Sequence, residues 1–177
     1  SLKAIFEQSW KLLEQDERSA LSKLSIFQNK FSREAATQVT EVPIQVLYRL
    51  VDKSLLQVVD GDFNIYGVIR RYAARKYQEQ FNTTVLLRQN YIRYYVSLVE
   101  EQHQNLLGEN QKVAIETFIS EIDNISTAWL WSIKDQIFIK LTLFIDALYN
   151  FYEIIGWIND GKSLFRQGLK GLIEGES

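Results

Sequence analysis

Apolar residues recur every three or four positions along nearly the whole chain, and the pattern switches once, around Asp60-Gly61, to strict alternation. A single Pro and eight Gly in 177 residues leave little chain for long loops. These observations predict a mainly α protein. The stretch Leu24 to Tyr77 reads as short helices, a tight hairpin and a closing helix, the order of a winged helix-turn-helix with one β-hairpin. The remainder of the chain, beyond Tyr77, reads as an antiparallel helical arm.

Leu2, Ile5, Phe6, Trp10 and Leu13 predict an amphipathic helix over residues 2–14. Asp16 is placed to cap the next helix, which carries Leu21, Leu24 and Phe27 inward. Ser32 caps a short helix from Arg33 to Val39, and Pro43 opens another that runs to Lys53 with Val46, Leu47, Leu50 and Val51 as its stripe. If Asp60-Gly61 is a two-residue turn, Val59 faces Asp62, Val58 faces Phe63 and Leu56 faces Ile65. Leu56, Val58, Phe63 and Ile65 then share the inner face. From Tyr66 the helical period returns, with Val68, Ile69, Tyr72, Ala73 and Tyr77 inside and Arg70, Arg71, Arg75 and Lys76 mainly on the other side.

The polar pause Asn82-Thr83-Thr84 sets the expected domain boundary, giving a winged-helix domain over 1–82 and a helical domain over 83–177. Four helices are expected beyond it. The first covers 85–107 and stops at Gly108, the second runs from Glu109 to Ile133, the third from Gln136 to Ile155 and the fourth from Ile158 to Leu172. Short loops force antiparallel neighbours. Periodicity alone leaves open whether they close into a bundle or begin a solenoid.

A chain of this length buries roughly 70% of its unfolded surface, enough for a core without staples. With 46% apolar, 24% charged and 13% aromatic residues it has the composition of an ordinary folded soluble protein. No Cys is present, which excludes disulfides and thiolate metal sites. The absence of any Met points to a piece of a larger protein. No secretory leader is visible at the N-terminus, and a cytoplasmic location is expected. The most apolar window, Ile137 to Ile158, is interrupted by Lys140, Asp146, Asn150 and Glu153, which predicts a buried helix and no membrane contact. Net charge is −2, with 13 Lys/Arg against 10 Asp/Glu in residues 1–90 and 7 against 12 in 91–177. Neither half has the concentrated positive face of a nucleic-acid binder.

The runs LSIFQNKFSREAATQV, LVDKSLLQV and FNIYGVIRRYAARKY resemble the winged-helix domain that comes after the nucleotide-binding domain in STAND signal-transduction ATPases of the NB-ARC or AP-ATPase type, especially bacterial regulators. EIDNISTAWLWS and GWINDGKSLFRQGL resemble the first tetratricopeptide-like repeats of the same proteins. The resemblance implies a switch in which an upstream P-loop domain binds ATP or ADP, the winged helix latches it closed, and the helical repeats sense a protein, peptide or ligand. Opening then often leads to oligomerisation. The chain itself contains no G-x-x-x-x-G-K-[ST], so no cofactor is expected in it. Family members commonly carry a His at the strand-to-helix junction that reads the ADP phosphates. The matching position is Tyr66, whose phenol donates one hydrogen bond but carries no positive charge. Asn90 stands where a second His is frequent.

The candidate site residues are therefore Tyr66 toward nucleotide, and Arg70, Arg71, Arg75 and Lys76 toward phosphate or a partner. A winged helix also raises DNA as an alternative. The helix from Pro43 to Lys53 offers only Gln45, Arg49 and Lys53 to base edges, and the tip Asp60-Gly61-Asp62 brings two carboxylates toward phosphates, so DNA is disfavoured. An oligomerisation scaffold is the third reading. No enzymatic constellation is visible. His103 is the only histidine, Glu100 and Glu101 are adjacent and cannot face one another, and Glu121 and Asp123 are expected at solvent or a helix end. Of Trp129, Trp131 and Trp157, at least two are expected in the core.

Overall fold

A computed structural model of the chain describes residues 2–80, 85–138 and 140–175, with side chains for 6–80, 85–138 and 140–173. The helical spacing folds as nine helices among the described residues, with one two-stranded antiparallel hairpin between the fourth and fifth. They are α1 (Leu2–Lys11), α2 (Gln15–Leu24), α3 (Arg33–Thr40), α4 (Ile44–Asp52), β1 (Gln57–Val59), β2 (Asp62–Asn64), α5 (Gly67–Gln80), α6 (Val85–Leu106), α7 (Gln111–Lys134), α8 (Leu141–Ile155) and α9 (Ile158–Gly175). The chain forms two compact units, Ser1–Asn90 and Tyr91–Ser177, and the division falls within α6. The pause at 82–84, expected to mark the boundary, lies outside the described residues.

In the first unit α2 is the central helix, packed against α3, α4 and α5. Leu21, Leu24, Phe27, Phe31, Ala35, Val39, Leu47 and Leu50 are essentially removed from water. Ser32 caps α3 as expected, its hydroxyl accepting from the Ala35 amide at 3.0 Å. The cap of α2 is Glu14, with Asp16 in the first turn. The carboxylate of Glu17 reaches back to accept from the Glu14 amide at 2.8 Å, so the first orphan donor is satisfied from the third helical position and Asp16 is left to face outward. Pro43 precedes α4 as its N-cap.

The hairpin has the expected register, Val59 opposite Asp62 and Val58 opposite Phe63. Asp60 and Gly61 both take positive φ, at 56° and 89°, as a two-residue turn matching the strand twist requires. Leu56, Phe63 and Ile65 face inward as anticipated, but Val58 is 49% exposed. The reason is a pairing that local pattern does not show: Phe31 exchanges two backbone hydrogen bonds of 2.9 Å with Phe63. This puts β2 in the middle and leaves β1 at the edge, where Val58 has a neighbour on one side only. On α5, Ile69 and Ala73 are buried, whereas Val68, expected inside, is 39% exposed.

In the second unit α9 packs against both α7 and α8. α6 contributes Tyr91, Ile92, Tyr95 and Val99 to the core, and α7 contributes Phe118, Ile125, Trp129 and Ile133. α8 begins at Leu141, five residues later than the apolar period suggests. Gln136 adopts φ 56° and the Ile137 amide bonds back to the Ser132 carbonyl at 2.8 Å, a helix-ending motif in which an apolar residue past the end folds back on the helix. Ile137 thus keeps the period while leaving the helix.

Gly161 of α9 packs against Tyr152 of α8, where an added Cβ would lie 2.9 Å from Tyr152 Cγ and 3.1 Å from its Cβ. These atoms sit at the root of a buried ring and cannot swing away. Gly161→Ala is therefore expected to destabilise by about 1–2 kcal/mol in urea titration, despite the better helix propensity of Ala. Gly67→Ala, where a Cβ meets nothing within 4 Å, should be neutral or stabilising by about 0.5 kcal/mol.

Candidate functional site

The candidate site residues Tyr66, Arg70, Arg71, Arg75, Lys76, Gln45, Arg49 and Lys53 all fall in the first unit, on α4 and its C-cap, on α5 and at the junction before α5. On α4, Gln45 is exposed and unengaged with the core. Arg49 and Lys53, one turn apart, are turned toward the start of α2. The Arg49 guanidinium pairs with the Asp16 carboxylate, and its Nε lies 3.4 Å from Glu17 Oε1 without hydrogen-bond geometry. Lys53 Nζ donates to Glu17 Oε2 at 2.6 Å.

Glu17 is the unusual member of this group, because its side chain is 1% exposed while both cations remain about two-fifths exposed. Burial by itself opposes ionisation. The hydrogen bonds from Lys53 and the Glu14 amide, with the fields of Lys53 and Arg49, outweigh it and hold the carboxyl below its ordinary range. The cations that a DNA reading requires at base edges are thus paired, while still partly exposed, with the half-exposed Asp16 and the buried Glu17. The hairpin tip is engaged as well, with Asp60 paired to Lys30 at 3.1 Å.

Tyr66 is half exposed immediately before α5, and its hydroxyl accepts from the Gln57 side chain on β1. The four basic residues of α5 do not converge. Arg70 turns back to donate to the carbonyls of Phe27, at 3.2 Å, and Gln28, in the turn after α2. Lys76 bonds Glu79 at 2.8 Å and lies 5.6 Å from the centre of the Tyr72 ring. Arg71 and Arg75 are exposed. Only these two present a solvated positive surface of the kind anticipated for the whole set.

The second unit holds a feature that sequence reasoning missed. Glu121, expected at solvent or a helix end, is 5% exposed. It accepts from the Tyr95 hydroxyl and from Asn124 Nδ2, each at 2.9 Å, and the Tyr91 hydroxyl donates to Asn124 Oδ1 at 2.9 Å. Burial and the neighbouring carboxylate together push the Tyr95 hydroxyl far above the ordinary phenol range, which keeps it a donor. The signal was present in the spacing: Glu121, Asn124 and Ala128 succeed one another at helical intervals beside the apolar stripe of α7, marking a second buried face. Of the three tryptophans in this unit, Trp129 is in the core, Trp131 packs partly exposed against Tyr91 with ring centres 5.1 Å apart, and Trp157 is 44% exposed. One of the three is core, where at least two were expected.

His103 lies 3.3 Å from the Asn150 side-chain amide, and among the described residues no three His, Asp or Glu side chains gather where they could hold a metal ion. No described helix is long and apolar enough to cross a membrane. Comparison with protein families, with curated proteins and with solved structures finds no match for the chain.

Two predictions separate structural from surface cations. Arg70→Ala should cost about 1–2 kcal/mol, measured by chemical denaturation, because two carbonyls lose a charged donor. Arg71→Ala and Arg75→Ala should stay within about 0.5 kcal/mol. For Glu17, whose carboxyl titrates below its ordinary 4.5 in the folded chain, ionisation favours folding. That contribution is present in full above about pH 4.5 and disappears as pH falls through the lower folded value. Glu17→Gln should therefore lower stability by about 1–2 kcal/mol at pH 7, with the gap to the parent protein closing below pH 4.

Proposed function

We propose that this chain is a non-catalytic regulatory piece of a STAND-type signalling ATPase or transcriptional regulator. In this reading residues 1–82 form a winged-helix latch and 83–177 a tetratricopeptide-like arm. The latch works against the protein's own upstream nucleotide-binding domain, where ATP or ADP is held, and the arm meets a protein or peptide partner. The order α3, α4, hairpin, α5 supports the winged-helix part, and the mutual packing of α7, α8 and α9 in the second unit supports the arm. The observation that carries the reading away from DNA is the engagement of Arg49 and Lys53 by Asp16 and Glu17. A helix whose cations are neutralised from within has little left to release counterions from a phosphate backbone. Protein contacts also suit the second unit, where Tyr149, Leu169 and Ile173 expose more than half of their surface.

The purified chain should hydrolyse no ATP above background and should not retard duplex DNA in gels at low salt. Salt-dependent retardation weakened by Arg49→Ala or Lys53→Ala would establish the DNA reading instead, and ATP turnover abolished by Tyr66→Phe would overturn the non-catalytic one.

A further inference from the structure

The second unit carries a cleft of about 330 Å³ that is separate from the buried tyrosine network of α6 and α7. Its walls are Ile122, Asp123 and Ser126 of α7, Tyr152 of α8, Trp157 in the turn between α8 and α9, and Asp160 in the first turn of α9. The sequence explains why these side chains meet. Asp123 and Ser126 are three apart and share a face of α7. The short α8–α9 turn holds Trp157 three residues before Asp160, and Gly161 lets α9 lie directly against Tyr152.

The lining points to one ligand chemistry. Trp157 is held by an edge contact with Phe151, ring centres 6.4 Å apart, yet 44% of it meets solvent. An indole fixed on one side and wet on the other is a ready platform for a flat cation. Two carboxylates, Asp123 and Asp160, stand in the same wall, and no Lys or Arg does. The adjacent cleft, on the far side of Tyr152, is different: Glu153 and Lys162 both line it, so its charges offset. The negative field of the first cleft is felt inside the fold. The buried Tyr152 hydroxyl is pushed above the ordinary phenol range first by burial and then by Asp160 and Asp123, against the opposing hydrogen bond with Ser126. Residues 91–177 as a whole carry 7 Lys/Arg against 12 Asp/Glu, so long-range attraction acts in the same direction.

We propose that this cleft receives an arginine side chain from an extended basic segment of a partner protein, with the guanidinium stacked on Trp157 and paired with Asp123 and Asp160. Arginine suits it better than lysine because a planar, weakly hydrated guanidinium can stack on an indole and address carboxylates at its edge together. The assignment rests on reading the helical unit as a protein-contacting arm, and it specifies what that arm recognises.

The test titrates the full chain with a short capped Gly/Ser peptide carrying a central Arg-Arg pair, monitored by amide NMR shifts and calorimetry. Its counterpart has citrulline at both arginines, equal in shape but uncharged. The arginine peptide should shift the amides of Ser126, Trp157 and Asp160 and bind more weakly at about 0.5 M salt. The citrulline peptide should bind at least fivefold more weakly. Trp157→Leu and the near-isosteric Asp160→Asn, each checked for an unchanged thermal melt, should weaken the arginine peptide about two- to fivefold apiece. No shifts in these residues, or equal binding by the citrulline peptide and both variants, would overturn the cleft assignment. Arginine-dependent shifts confined to other residues of 91–177 would overturn it too, while leaving the protein-contact reading in place. DNA retardation or ATP turnover by the chain would instead strike that broader reading.

Discussion

The buried carboxylate of Glu17 is the constraint on which the first unit turns. A carboxylate removed from water is expensive unless its oxygens are met by donors and opposite charge. Here the Glu14 amide and Lys53 both donate to Oε2, while Arg49, from a helix more than thirty residues away, lends opposite charge beside Oε1 without a hydrogen bond. Meeting that requirement fixes where α4 lies on α2. Since α2 also packs against α3 and α5, the position of α4 is set relative to the whole unit. The same bonds shape the surface chemistry of α4, because its Arg49 and the Lys53 that follows it share their charge with carboxylates at the start of α2.

A second tie works at the opposite end of α2. Arg70 reaches from α5 to the carbonyls just past α2, and Phe31, four residues past Phe27, pairs with Phe63 and converts a two-stranded hairpin into the edge of a slightly wider arrangement. The stacked rings of Phe27 and Phe31, 4.2 Å apart, continue this contact into the core. Hairpin, closing helix and central helix are thereby joined around one turn. Tyr66 sits at the entry to that closing helix with its ring half in water.

The second unit is held by different means. α7 is buried on two faces, one apolar and one carrying Glu121, Asn124 and Ser132. Glu121 and Asn124 are met by tyrosine hydroxyls from α6 and Ser132 by the Trp129 carbonyl of its own helix, and such a bonded network between α6 and α7 specifies one register in a way that interchangeable leucines do not. Close approach at Gly161 does the same for α8 and α9. With these helices locked, the side chains left at the α8–α9 turn are held in place, and an indole beside two carboxylates becomes a shaped surface.

Helix positions, the Ser32 cap, the hairpin register and its Asp60-Gly61 turn were legible in the sequence because each depends on neighbours within a few residues: apolar period, side-chain reach to the next amide, tolerance of positive φ. The start of α8 was misread for the same reason, since Ile137 keeps the helical period while its backbone has already turned. The site was less legible than the fold. That α5 is basic could be read directly, but whether Arg70 is a surface cation or a tether depends on carbonyls more than forty residues away. Arg49 and Lys53 looked available until Asp16 and Glu17 were brought beside them, and Glu121 looked solvated until Tyr95 covered it. Local spacing determined which elements form and which face each buries. Tertiary structure alone decided which charges are paired within the protein and which stay in water, because an ion pair is set by distance in space and a sequence records only distance along the chain.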